Sequence, residues 1–291
     1  MFGFCADPAS LEGSRWLACY LTTPKHMAFY VSFGTVLLLL ALAAPLALAF
    51  GFAGAFAKRA GFAPVRWLGT GYVAMVRGVP DIVFFLFVPI AMDQGLEWMR
   101  HKILCPEVTE PIRRGNDFVV CQAAKLPLGE APQWVHDAYG FTLALIAYAV
   151  VFGAFAANVL DGALRAVPKG QIEAGAAIGL SPGRITRRIV LPQMWVYALP
   201  GLSNLWMILI KATPLLFLLG VEDVVYWARE LGGLKTQAYD YPHPDWRAWY
   251  FAGLLVFYLF LTWISQAGFD RLIVRVSRGM PNAGAGSGAA A

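Results

Sequence analysis

Charge is the scarcest commodity in this chain. Only 14% of its 291 residues are Asp, Glu, Lys or Arg, where a soluble domain carries about a quarter. From Met27 to Ala57 none occurs, a run of 31 residues where about 20 suffice to cross a bilayer. Signatures of catalysis are missing as well. No Gly-(x)4-Gly-Lys-Ser/Thr loop is present to cradle a nucleotide phosphate, and neither His-Glu-x-x-His nor Gly-x-Ser-x-Gly occurs. The four histidines (His26, His101, His136, His243) are scattered, and no paired acids or Ser/His set lies within an apolar run. These absences exclude a soluble globular domain, a phosphate-loop ATPase and the common hydrolases, and they leave no catalytic residue to nominate.

What is present is hydrophobic length: 58% of the residues are apolar. Five spans are expected, at about 28–56, 70–92, 139–160, 195–220 and 248–268, so the fold class is all-α, a polytopic membrane protein. Residues 1–27 form an N-terminal segment, 28–270 the transmembrane domain and 271–291 a tail. The first twenty residues lack the basic start of a signal peptide, so the first span is expected to stay in the membrane. It contains Pro45, tolerable where neighbouring helices satisfy the freed carbonyl. The third carries Gly153, Ala154, Ala156 and Ala157, small residues that let helices approach closely.

Orientation follows from the basic residues. One side of this topology collects twelve (Lys58, Arg59, Arg66, Arg77, Arg165, Lys169, Arg184, Arg187, Arg188, Arg271, Arg275, Arg278) against three acids, while the other holds ten against fourteen acids. The basic side is the cytoplasmic one, with the N-terminus outside and the C-terminus inside. The net charge of +5 is thus a topology signal, with no nucleic-acid partner implied. The loops 94–138 and 221–247 face outward, with Trp98, Trp134, Tyr239, Tyr241 and Trp246 suited to an interface. All four cysteines fall on that oxidising side. Of three pairings, Cys5–Cys19 and Cys105–Cys121 are favoured, each closing a short loop. A metal site is the weaker alternative, because no histidine lies at ligand spacing. The end of the tail, from about 281, is low-complexity Gly/Ala/Ser and is expected to be disordered.

One polar segment stands between two close apolar spans, Arg165 to Pro192. Gln171–Ile178 is rich in helix formers, and Gly179 can take the left-handed conformation that closes a helix. Ser181 is placed as an N-cap with Pro182 at the first helical position. A second helix then runs over Arg184, Arg187 and Arg188 until Pro192 disturbs it. The same pattern fits a DNA-binding helix-turn-helix, but that module needs a third helix and its own core, and here the chain turns apolar within about ten residues on either side.

Glu173-Ala174-Gly175, then Gly179, then Ile189-Val190-Leu191-Pro192 resembles the EAA loop of the membrane (permease) subunits of bacterial ABC importers, with Gly175 in place of the second alanine. The resemblance implies a type I permease-like fold and a cytoplasmic coupling loop, here 161–193, docking on a separate ATPase. Gln171, Glu173, Ala174, Gly179, Leu180 and Arg184 are then the ATPase-coupling candidates. It further implies an ABC ATPase homodimer as partner, a second permease subunit (a copy or a paralogue), a periplasmic substrate-binding protein and the inner (cytoplasmic) membrane of a bacterium. No cofactor is expected on this chain; ATP and Mg belong to the ATPase.

Ionisable groups at membrane depth are costly and mark paths or pairs. Arg77 and Asp81 are four residues apart and can pair if the helix survives Pro80. Arg77-Gly78-Val79-Pro80 resembles the Arg-Gly-Thr-Pro of the polar amino acid branch, and 198–225 is similar to histidine- and opine-type permeases. Arg77, Asp81, Asn158, Asn204, Lys211 and Thr213 are the substrate-path candidates. Two residues depart from the family pattern. Asn158 stands where amino acid permeases usually have glutamate, and Asp161 where they usually have arginine. The expected function is translocation of a polar amino acid or opine; the alternative is a channel or secondary transporter without an ATPase.

Overall fold

The structure is a computed structural model that describes residue 5 and residues 11–108, 121–126 and 129–278. The tail expected to be disordered from about 281, and the middle of loop 94–138, lie outside the described residues. The described chain is helical: α1 Gly13–Leu21, α2 Pro24–Lys58, α3 Ala63–Gly78, α4 Asp81–Leu104, α5 Gln133–Ala166, α6 Lys169–Ala177, α7 Pro182–Ile185, α8 Leu191–Ala212, α9 Val224–Gly232 and α10 Arg247–Val276. A π turn, Thr186–Val190, joins α7 to α8, and a 3-10 stretch, Thr213–Leu219, follows α8. Among the described residues, the one β-type pairing outside a strand is the bridge Lys235–His243.

Among the described residues, five helical segments are long and apolar enough to cross a membrane: Pro24–Lys58, Asp81–Leu104, Gln133–Ala166, Pro182–Leu219 and Arg247–Val276. Two differ from the expected spans for a physical reason. The run 70–92 is not one helix. Val79, at φ −121° and ψ 145°, is pushed into the extended region by the ring of Pro80, so α3 ends at Gly78 and α4 begins at Asp81, whose carboxylate suits a helix N-terminus. The fourth span begins at Pro182, well before 195. Pro192 removes the N–H that an α-helix would aim at the Arg188 carbonyl. The chain absorbs this by widening to a π turn, in which the Leu191 N–H reaches Thr186, and the helix continues. Pro45 leaves α2 unbroken.

Two compact units make up the chain, and each of the five long helical segments contributes to both. The first contains residues 1–42, 85–145 and 212–259. Disulfides Cys5–Cys19 and Cys105–Cys121 both lie in it. Cys5, Cys19, Tyr20 and Tyr241 form a buried cluster against Trp16 and Trp246. Beside it runs a polar chain. His26 Nε2 is 2.7 Å from the Tyr250 hydroxyl, Tyr250 donates to Tyr20 at 3.3 Å, and the Tyr20 hydroxyl lies 2.9 Å from His243 Nε2. Two histidines far apart in sequence are thus satisfied by one network, which is how buried polar groups are tolerated.

The second unit contains 43–84, 146–211 and 260–291. Here α2 and α5 touch through small residues. A Cβ on Gly51 would meet Ala156 Cβ at 2.7 Å, one on Gly54 would meet Ala157 Cβ at 2.8 Å, and one on Gly153 would meet Phe50 Cβ at 2.5 Å. Close approach of this kind replaces the hydrophobic drive that lipid removes. Toward the helix ends, Ala55, Leu160, Ala163, Leu164, Val167, Met194 and Ala198 form a core, with Phe52 and Trp195 packed edge to face over it at 5.8 Å.

Candidate functional site

The polar segment between α5 and α8 folds as a helical hairpin whose geometry is set by one glycine. After α6, Gly179 takes φ +78°. Its N–H bonds the Ala176 carbonyl at 3.0 Å, and the Leu180 N–H bonds Gly175 at 3.1 Å. This pair of reversed bonds is the Schellman closure, which consumes the carbonyls a helix C-terminus leaves open. Ser181 then stands at the N-cap with Pro182 at the first helical position, but its side chain caps no backbone N–H. Its hydroxyl instead accepts from Arg184 Nε at 3.2 Å.

In α6, Gly175 is the one buried residue. A Cβ there would meet Ile189 Cδ1 at 2.7 Å and Ile185 Cγ1 at 3.3 Å, so the glycine that stands where the EAA pattern has alanine brings α6 close onto α7 and the π turn. The remaining residues of α6, Gln171, Glu173 and Ala174 among them, are exposed. So are Ile172, at 37%, and Ile178, at 77%. Neither isoleucine was a candidate from sequence.

Beside this hairpin in sequence, at the last turns of α2 and α5, sits a charged knot. Asp161 is 4% exposed. Its carboxylate receives Lys58 Nζ at 2.9 Å and Arg165 at 2.9 and 3.4 Å, with Arg59 at 3.7 Å. Three cations on one carboxylate account physically for an acid where the family pattern has arginine: a buried charge is retained when it is paired and hydrogen-bonded.

The substrate-path candidates are spread over α3, α4, α5, α8 and the 3-10 stretch after it. Arg77, exposed at the end of α3, and Asp81, at the start of α4, form no ion pair among the described residues, because the break at Val79–Pro80 removes the shared helix face that the pairing required. Asn158 lies half-buried on α5, and Asn204 is exposed on α8. Lys211 is exposed in the last turn of α8, with no ion pair among the described residues. Thr213 is fully buried, its hydroxyl 2.9 Å from that of Tyr258, a contact that ties the 3-10 stretch to α10. His101, Cys105 and Cys121 lie together, yet both sulfurs are spent in a disulfide. The imidazole accepts from the Cys121 N–H at 3.0 Å and donates to the Val108 carbonyl at 3.0 Å, so the trio offers a metal no thiolate and no spare ring nitrogen.

Residues 45–278 match the family model described as binding-protein-dependent transport system inner membrane component. The chain is 32% identical over 219 residues to the arginine ABC transporter permease protein ArtQ of Escherichia coli K12, covering 74% of this chain and 80% of ArtQ. It is 33% identical over 241 residues to the histidine/lysine/arginine/ornithine transport system permease protein HisQ of Salmonella typhimurium, covering 82% and 88%. Among solved structures it is similar to a chain of an amino acid ABC transporter crystallised with histidines, at TM-score 0.60 and 19% identity over 88% of this chain and 98% of that one. A chain of the MetNI methionine ABC transporter gives 0.53 and 15% over 86% and 94%. These two share the fold. The hairpin between α5 and α8 thus sits in a chain that belongs to the inner membrane components of binding-protein-dependent ABC transport systems.

Proposed function

We propose that this chain is one of two permease subunits of an ATP-driven importer for a polar amino acid or a related opine. The observation that carries the reading is the hairpin: α6 is braced through Gly175 and a left-handed Gly179, offers Ile172, Ile178 and Glu173 outward, and joins directly to a helix long enough to span a membrane. Such a rigid, exposed handle converts the closing of a partner ATPase into movement of α8. Gln171, Glu173, Ala174, Ile172 and Ile178 supply the contact, Gly179 and Leu180 its shape, and Arg184 steadies the turn through Ser181. In this reading the hairpin is cytosolic, the N-terminus periplasmic and the C-terminus cytosolic, in keeping with the bias of basic residues. ATP and Mg reside in two ATPase chains, and this chain holds neither.

A periplasmic binding protein delivers substrate to the outer loops, and rocking of the bundles alternates access around a site near the midplane. Lys211 and Asn204, exposed on α8, are the path residues we retain, with Asn158, Arg77 and Asp81 as secondary positions. An unpaired ammonium at that depth suits a substrate carboxylate. The names of the relatives (arginine; histidine, lysine, arginine and ornithine; octopine) support an amino acid or opine as cargo. Asn158, lacking the usual glutamate charge, argues against requiring a cationic side chain. Co-purification with the ATPase and binding protein, followed by substrate-stimulated ATP hydrolysis in proteoliposomes, tests the proposal. Solute movement by the purified chain with no hydrolysis would replace it with a channel or secondary transporter.

A further inference from the structure

The charged knot around Asp161, within the second unit, holds more positive charge than its one carboxylate neutralises. Lys58 ends α2, Arg59 follows it, and Arg66 lies in the first turn of α3, while Arg165 comes from the last turns of α5. Gly69 seats α3 directly on the end of α2, since a Cβ there would meet the Ala57 Cβ at 2.6 Å and the Lys58 amide nitrogen at 2.8 Å. Arg66 Nη1 donates to the Ala60 carbonyl at 3.3 Å, which holds that guanidinium at the turn between α2 and α3. Among the described residues, Asp161 is the one acid paired with any of these four cations, so the cluster keeps a surplus of three positive charges.

Much of its donor capacity is also unused. Asp161 takes one bond from Lys58 and two from Arg165, out of the three N–H groups of a lysine and the five of an arginine. Arg59, at 3.7 Å, is held by charge alone and gives none of its five to that carboxylate. Lys58 is largely covered, whereas Arg59, Arg66 and Arg165 are open to the outside. The buried carboxylate gathers the Lys58, Arg59 and Arg165 heads to within 3.7 Å of its oxygens, so part of the ordering that an incoming anion would demand is already in place.

The position of the knot says which anion. It lies at the ends of two segments long enough to cross a membrane, Pro24–Lys58 and Gln133–Ala166. In the turn and the first residues of α3, Phe62, Trp67 and Leu68 are exposed, Trp67 at 72%. Arginines interleaved with an exposed indole at the end of a spanning helix belong at the level of the lipid headgroups. A headgroup with its own ammonium presents no net charge, so a positive surplus there selects lipids that carry phosphate and no amine.

We propose that this knot binds the phosphate of an anionic glycerophospholipid, with Arg59, Arg66 and Arg165 as donors, Asp161 as the brace that sets them, and the acyl chains lying along the apolar side chains of the turn. The site depends neither on the ATPase contact nor on which solute is transported.

The test titrates the purified full-length chain in detergent micelles with palmitoyl-oleoyl phosphatidylglycerol, counting bound lipid by native mass spectrometry. Phosphatidylglycerol is expected to bind at least about tenfold more tightly than phosphatidylcholine with the same chains. Arg59→Gln and Arg66→Gln are each expected to weaken it by about fivefold, the scale of one cation at an anionic surface, with the melting temperature unchanged. Arg275→Gln removes the same charge from an exposed position on α10 and is expected to leave binding within about twofold of wild type. Equal binding of the two lipids overturns the inference, as does unchanged affinity in Arg59→Gln and Arg66→Gln. Equal weakening by all three variants also overturns it, because the attraction would then belong to the net charge of the chain. So does displacement of phosphatidylglycerol by inorganic phosphate at matched ionic strength, which would make this a site for the free ion.

Discussion

Replacing Gly179 by valine isolates the shape of the hairpin from the stability of the bundle. Gly179 sits at φ +78° with open space where a Cβ would be built, so the penalty is conformational and not a clash. A β-branched residue is a strong outlier in that region, and holding it there costs about 2–3 kcal/mol, a roughly 30- to 150-fold shift toward an open turn. The loss falls on the bonds from the Gly179 and Leu180 amides, 3.0 and 3.1 Å long, and then on the seating of Gly175 against Ile185 and Ile189. The core of α2, α5 and α8 is untouched. Gly179→Val is therefore expected to insert normally, to lose hydrogen-exchange protection at the Leu180 amide, and to lose most transport when assembled with its partners. Gly183, inside α7 with open space and no positive φ, is the control: Gly183→Ala is expected to transport normally. Protection and transport within about twofold of wild type in Gly179→Val would refute the reasoning.

Three further outcomes follow from the packing and the charges. Asp161→Ala strands the nearly buried Lys58 and is expected to destabilise the chain by about 3–5 kcal/mol, whereas Arg165→Ala, whose side chain is 68% exposed, costs at most about 1 kcal/mol; thermal unfolding in nanodiscs separates the two. Gly153→Ala drives a methyl into Phe50 Cβ and the Tyr72 hydroxyl and is expected to lower stability by about 1–3 kcal/mol, while Gly162→Ala, with open space, does not. Asp223 caps α9 through one oxygen, bonded to the Val225 and Tyr226 amides, while its other oxygen is buried with no hydrogen bond among the described residues. Burial pushes its carboxyl up to about 6 from 3.8. The folded state thus holds the proton more tightly than the unfolded chain, so the stabilisation is fully present below about pH 4 and is lost as pH rises through 6. Melting temperature is expected to climb on acidification over that window, and Asp223→Asn to flatten the climb.

Much of this architecture was written in local patterns. The charge-free run from Met27 to Ala57 announces a span by length alone, and the hairpin is legible because a helix-rich stretch, a left-handed glycine and a Ser-Pro start are all short-range signals. The break at Val79–Pro80 was equally local, but an apolar run reads straight across it, since hydropathy reports solvent preference and not backbone dihedrals. The π turn was hidden for a related reason: Pro192 marks a disturbance without specifying whether the helix ends or widens. The contact between Thr213 and Tyr258 spans 45 residues of sequence, a separation that local spacing does not report. Ile172 and Ile178 were missed because apolar residues in a membrane chain attract no notice until their exposure is known.

The central claim is that a partner ATPase grips the hairpin, and Ile178 tests it most directly. Both disulfides consume the four native cysteines, so Ile178→Cys introduces the one free thiol, at a residue that is 77% exposed. In the assembled importer a short thiol cross-linker is expected to join residue 178 to the ATPase chain, with a yield that changes when ATP is bound. Failure to cross-link at 178 in an assembly that still hydrolyses ATP in response to substrate would contradict the account.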